Sequence, residues 1–266
     1  MNRKTKILVA GGDLRQVFLS EYLSEHFIVK KYALGEKFLS PELLRGFDIL
    51  ILPMIVSTDN ENLNAPFSQE VIPLSKLCYA LKEGGIVFGG SFSEHAKDIF
   101  TSRGFEVFEY MSRDELVIKN CIPTAEGALQ IAMEELSVTI RDLKTLIVGY
   151  GRVGKITADL FASVGADVTA TARKQNDLAL CKALGINAKK TSEALDTPEA
   201  YDLIINTVPS MIITHKVLEK VNKNVLIIDL ASRPGGVDFE SAKELGIKVV
   251  WALSLPLKEN SQNYFL

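Results

Sequence analysis

Leu146-Ile-Val-Gly-Tyr-Gly-Arg-Val-Gly154 decides the fold. An apolar run with the composition of a buried strand ends on Gly149-x-Gly151-x-x-Gly154, and a helical pattern opens directly behind it. In that order each glycine has its own task. Gly149 permits a tight turn, Gly151 lets a pyrophosphate approach the backbone, and Gly154 lets the helix pack close to the strand. The helix N-terminus adds N–H groups without intrahelical partners and the positive end of the dipole. Three glycines at this spacing are a weak signal by themselves, but here the preceding strand, the helix and a second strand all fall where a dinucleotide site requires them. The stretch predicts a Rossmann domain whose cofactor turn is Gly149, Tyr150, Gly151, Arg152, Val153 and Gly154.

The same logic extends to both sides. Strand Thr145–Val148 leads to helix Val153–Ser163, which Gly165 ends, and then to strand Asp167–Ala172. Helix Asp177–Leu184, a weak strand Ile186–Lys189 and two strong strands, Asp202–Asn206 and Asn224–Asp229, follow. Asp238 is placed to cap helix Phe239–Leu245, and Lys248–Ala252 is a last strand. Ligands of parallel sheets bind beyond the carboxyl ends of the strands. The end of the second strand reads Ala172-Arg173-Lys174, without the acid that holds the ribose 2′-hydroxyl of NAD. Arg173 and Lys174 suit a 2′-phosphate, so NADP is expected before NAD. Thr207, Val208, Pro209 and Ser210 follow the fourth strand, where Thr207 and Ser210 would flank the nicotinamide; the same residues are also good turn chemistry. Asp229, Ser232 and Arg233 lie in Asp229-Leu-Ala-Ser-Arg-Pro-Gly-Gly236, which is richer than a strand-to-helix loop needs. Asp229 is grouped with the cofactor residues and Ser232 and Arg233 with the catalytic ones. Arg233 suits a bidentate grip on a carboxylate; its alternative is an ion pair with Asp229 or Asp238.

The first half alternates strands and helices too, at Lys6–Ala10, Leu14–Ser24, Phe27–Tyr32, Phe47–Pro53, Leu74–Leu81 and Ile86–Phe88, with Gly84-Gly85 as the cap of the helix before it. Thr58–Ser68 reads as a surface loop. Phe105–Met111 and Leu116–Ile118 finish this half. Aligned on Gly11, the second and third glycine positions hold Asp13 and Gln16, and a carboxylate there repels a pyrophosphate. Arg15, Ser91 and Thr124 are its candidates for a small anionic substrate. A long helix is predicted from Thr124, as cap, to about Ile140. The expected fold class is therefore α/β with two doubly wound parallel-sheet domains: residues 1–121, a connecting helix over 122–143, and an NAD(P)-binding domain over 144–266.

Composition narrows the class further. With 266 residues, 47% of them hydrophobic, and a net charge of −3, the chain shows no electrostatic footprint for nucleic acid. It contains no apolar run near the ~20 residues that span a bilayer. Its three cysteines and three histidines are scattered, so no disulfide framework and no metal site are expected.

With Gly11-Gly12-Asp13, Pro123-Thr-Ala-Glu-Gly127, Gly149-Tyr-Gly-Arg152, Asn206-Thr-Val-Pro-Ser210 and Asp229–Gly236 in hand, the chain resembles the A subunits of bacterial dipicolinate synthase. The resemblance runs from the first strand to about Leu255, and the last motif is its most specific part. It implies an oxidoreductase subunit in the cytoplasm of the mother cell of a spore-forming bacterium, working with a flavoprotein-like B subunit. Together they would convert the dicarboxylate 4-hydroxy-tetrahydrodipicolinate to dipicolinate, the spore-core calcium chelator, with an oxidised nicotinamide as hydride acceptor. After Leu255-Pro256 the chain departs from the family, which continues with a proline–alanine–glycine turn and a closing helix. Apolar surface left bare by that change would favour a homo-oligomer. The rival readings are another two-domain NAD(P)-dependent dehydrogenase of the hydroxyacid kind, and a nucleotide-binding subunit that supports its partner without hydride transfer.

Overall fold

The computed structural model describes residues 5–35, 40 and 44–252. The chain divides into two compact units, one ending at Val117 and the other beginning at Ile118.

In the first unit, β1 (Lys6–Ala10), β2 (Ile28–Tyr32), β3 (Phe47–Ile51), β4 (Leu81–Gly89) and β5 (Glu106–Glu109) form a parallel sheet in the order β2-β1-β3-β4-β5. Helices α1 (Leu14–Ser24), α2 (Leu74–Leu77) and α3 (Glu94–Thr101) connect them. Along β1, Ile7 and Val9 join one core and Leu8 and Ala10 the other, so a period of two buries both faces. This order is that of flavodoxin-like folds, whose strand sequence reverses between the first and third strands.

In the second unit, the sheet order is β11-β10-β9-β6-β7-β8. Its strands are β6 (Lys144–Val148), β7 (Asp167–Ala172), β8 (Asn187–Lys190), β9 (Leu203–Asn206), β10 (Leu226–Asp229) and β11 (Lys248–Trp251). Counted within the unit, this is the 3-2-1-4-5-6 order of dinucleotide-binding folds. Its helices are α5 (Arg152–Ser163), α6 (Gln175–Ala183), α7 (Thr191–Asp196), α8 (His215–Leu218) and α9 (Phe239–Glu244), with α4 (Asp114–Glu135) running in from the first unit. Leu146 and Val148 pack on one side of the sheet and Ile147 on the other, and β9 and β10 alternate likewise. Gly165 ends α5 as expected, at a φ of +93°, with its N–H on the Ala162 carbonyl and the Ala166 N–H on that of Phe161. Asp238 caps α9 through the Ser241 N–H at 3.1 Å.

Three expectations fail. The helix predicted from Thr124 begins ten residues earlier, at Asp114, and ends at Glu135. Pro123 and Thr124 are interior to it, and Leu116–Ile118 lies within its opening turns. The buried stripe Cys121, Ala125, Ala128 and Ala132 crosses Pro123 without a break, so packing overrides the proline. The Thr124 hydroxyl donates to the Asn120 carbonyl at 3.0 Å and does not cap a helix. Finally, Gly84-Gly85 is no helix cap: α2 is one turn with a 3₁₀ turn behind it, and both glycines lie inside β4. There they absorb a register shift, Phe47 pairing with Leu81 but Ile49 with Ile86, and Gly84 takes a φ of +70°.

Candidate nucleotide site

One register row crosses the second sheet at the carboxyl ends of its strands: Thr171, Val148, Asn206, Asp229 and Trp251 are successive partners on β7, β6, β9, β10 and β11. The turn that leaves β6 grows from this row and is fastened from both neighbours. The backbone N–H and the hydroxyl of Thr207 donate to the Val148 carbonyl at 3.0 and 2.9 Å. On the other side the Gly149 N–H donates to Thr171 Oγ1 at 3.1 Å. Gly149 has a φ of +97°, and a Cβ on it would stand 2.7 Å from Thr207 Oγ1. A Cβ on Gly154 would fall on the Gly149 carbonyl oxygen. Gly151 differs from both: it heads α5 as the N-cap, and a Cβ built on it meets only open space. The outer two glycines are required by the fold itself, whereas the middle one leaves room over a helix N-terminus. That is the shape a pyrophosphate fits.

The other expected residues fall into distinct places. Tyr150 is buried in the core, with the Lys155 ammonium 5.4 Å from its ring centre. Burial, and then the Cys181 thiol beside it, pushes its phenol up to about 12, so its share in the turn is backbone. Arg152 is exposed and Val153 half-buried in the first turn of α5. Arg173 and Lys174 are exposed at the end of β7, and neither forms an ion pair or side-chain hydrogen bond among the described residues. Val208 is half-buried, and Pro209 and Ser210 are exposed. Ser232 and Arg233 are exposed on the β10 loop, where the Arg233 guanidinium carbon lies 5.8 Å from the Trp251 ring centre. Arg233 is ion-paired to neither Asp229 nor Asp238 among the described residues. Asp229, grouped above with the cofactor residues, is fully buried, and three internal donors occupy its carboxylate.

Arg15 and Ser91 belong to the first unit and Thr124 to the second. The Arg15 guanidinium is locked onto Asp13 at 2.6 and 3.0 Å. Ser91 is exposed, and its backbone bridges to Ile55. The Gly11 and Gly12 N–H groups donate to the Tyr32 and Asn64 carbonyls at 2.9 and 2.7 Å, so the donors a phosphate would use there are taken. Nearby Tyr110 donates to the Leu52 carbonyl at 3.2 Å, and burial pushes its phenol up to about 12.

Sequence reasoning missed Thr171 and Trp251 as parts of the site, and it placed Asn206 in the strand-end motif without giving its side chain a role. Only Asn206, a polar residue closing an all-apolar strand, carried a local signal. Among the described residues no three His, Cys, Asp or Glu side chains converge as a metal site, and no helix is long and apolar enough to cross a membrane.

Comparison with known proteins matches each unit separately. Residues 6–111 fit the family model of the N-terminal domain of the dipicolinate synthase A subunit, and residues 124–241 that of the D-isomer specific 2-hydroxyacid dehydrogenase NAD binding domain. The A subunit of dipicolinate synthase from Bacillus subtilis is 32% identical over 263 residues, covering 94% of this chain and 89% of that protein. The crystal structure of the corresponding A subunit from Bacillus halodurans superposes with a TM-score of 0.82 at 28% identity, over 96% of this chain and 92% of that one. The crystal structure of the Bacillus subtilis protein gives 0.80 at 30% identity, over 96% and 91%. A parallel sheet reversing at a glycine turn, and likeness along nearly the full length of both chains, lead to one assignment: this chain belongs to the family of dipicolinate synthase A subunits.

Proposed function

We propose that this chain is the oxidoreductase subunit of a dipicolinate synthase, using NADP to convert 4-hydroxy-tetrahydrodipicolinate to dipicolinate together with a flavoprotein-like B subunit. The observation that carries the reading is the turn at Gly149–Gly154, built at the reversal of strand order with open space over Gly151. Gly149, Gly151 and Gly154 hold the pyrophosphate against the first turn of α5. Arg173, with Lys174 beside it, meets the 2′-phosphate: both are cations uncommitted among the described residues, at the end of β7, where NAD-selective domains place an acid. Thr207 and Ser210 border the nicotinamide, and Ser232 and Arg233 position the substrate, Arg233 by a bidentate grip on a carboxylate.

The conversion removes one water from the hydroxylated ring, then a hydride and a proton from the dihydro ring. An oxidised nicotinamide supplies the hydride acceptor when bound. The residues of this chain hold that acceptor and fix the dicarboxylate beside it. The test is turnover: the chain mixed with its B partner, NADP and substrate, with nicotinamide absorbance recorded near 340 nm, roughly the band of the reduced ring. Growth of that band with dipicolinate formation in equal amounts is expected. Dipicolinate forming with no nicotinamide reduced would leave a binding subunit in its place.

A further inference from the structure

Two buried polar side chains join the loops on either side of the proposed nicotinamide position, and the chemistry above does not use them. Asn206 and Asp229 are register partners on β9 and β10, and both are fully buried. Asp229 Oδ1 accepts from Asn206 Nδ2 at 2.7 Å and from the Ala231 N–H at 3.0 Å, while Oδ2 accepts from the Gly236 N–H at 2.8 Å. Asn206 Nδ2 also donates to the Val208 carbonyl at 3.0 Å, and its Oδ1 accepts the Val208 N–H at 3.1 Å. Among the described residues no cation pairs with this carboxylate.

A buried carboxylate is costly, and apolar side chains would fill the same space at less expense. What the polar pair adds is geometry. Both ends of the span 231–236 are tied to one carboxylate, and Arg233 sits in the middle of that span. Gly236 is pressed so closely against the other loop that a Cβ on it would fall on Asn206 Nδ2 and the Val208 carbonyl oxygen. The Trp251 indole N–H donates to the Ala231 carbonyl at 3.1 Å, which sets the ring that Arg233 covers.

We propose that Asn206 and Asp229 are positioning residues: Asp229 fixes the span that presents the Arg233 fork to a substrate carboxylate, and Asn206 fastens that span to loop 206–210. The inference rests on the reading of Arg233 as the carboxylate ligand. Loop 206–210 keeps its own ties, Thr207 to the Val148 carbonyl and the Val208 N–H to Asn206, so the anion side of the site depends on Asp229 and the nicotinamide side does not.

The test uses the full chain, with pyridine-2,6-dicarboxylate as probe and fluorescence of Trp251, the sole tryptophan, as signal. NADP is titrated separately. In Asp229→Asn the amide retains one acceptor oxygen, so at least one of three donors loses its partner. Dicarboxylate binding should weaken about tenfold, the equivalent of one such hydrogen bond, with NADP binding within about twofold of wild type. In an Arg233→Ala background the same substitution should have no further effect, a coupling that a merely structural role would not produce. Asn206→Ser keeps both backbone donors on Asp229 and covers the case in which Asp229→Asn does not fold; it should weaken the probe several-fold, again only when Arg233 is present. Unchanged dicarboxylate affinity, or full additivity with Arg233→Ala, would overturn the proposal. A wild-type chain whose dicarboxylate binding ignores Arg233→Ala would instead bring down the reading of Arg233, whatever Asp229 does.

Discussion

Gly149, Gly151 and Gly154 look equivalent in the sequence and are not equivalent in space. Gly149 needs its positive φ and has Thr207 Oγ1 within 2.7 Å of where a Cβ would stand; Gly154 has a backbone carbonyl in that place. Alanine at either position should destabilise the fold, by about 1–3 kcal/mol. Gly151 has a φ of −77° and free space, so Gly151→Ala should cost no more than the loss of a glycine N-cap, about 1 kcal/mol or less. It should nevertheless weaken nucleotide binding at least about tenfold, because the methyl occupies the pyrophosphate's approach. Equal nucleotide affinity in the wild type and Gly151→Ala would contradict the assignment of the open space. Arg173 tests the other end of the cofactor. Removing its charge-assisted contact should cost NADP about ten- to a hundredfold in affinity and leave NAD almost untouched; equal losses for both would end the 2′-phosphate assignment.

Elements were legible where their signals are local and were misread where distant packing decides. The strand–glycine turn–helix at Leu146–Gly154 is specified by sterics within a few residues, and the sequence pattern located it to within one residue of β6 and α5. For α4 the local signals mislead. Pro123-Thr124 has the look of a helix start, yet the helix runs through it because Cys121, Ala125 and Ala128 face the same way and are buried together. Gly84-Gly85 imitates a helix cap for a similar reason, its role as a bulge depending on register with β3. The clasp of Asn206 and Asp229 could not be read at all: its partners are 23 residues apart, and only the pairing of β9 with β10 brings them together. Tyr150 sits in the motif but points into the core, a direction the glycine spacing does not encode. If packing alone carries α4 past its proline, Pro123→Ala should raise stability by about 1–3 kcal/mol in urea unfolding. A lowered midpoint would mean that the proline is needed where it is.

At the scale of the molecule, two sheets of the same general kind end in different glycine turns. Both reverse their strand order beside a glycine turn, but the turn after β1 spends its N–H groups on Tyr32 and Asn64, whereas the turn after β6 opens onto a helix N-terminus. The nucleotide is therefore expected in one unit only. The most direct test is calorimetric titration of the purified chain with NADP and with NAD, at one ionic strength. Saturable binding at one nucleotide per chain is expected, tighter for NADP than for NAD. Two equivalents bound per chain, or no saturable heat with either coenzyme, would contradict it.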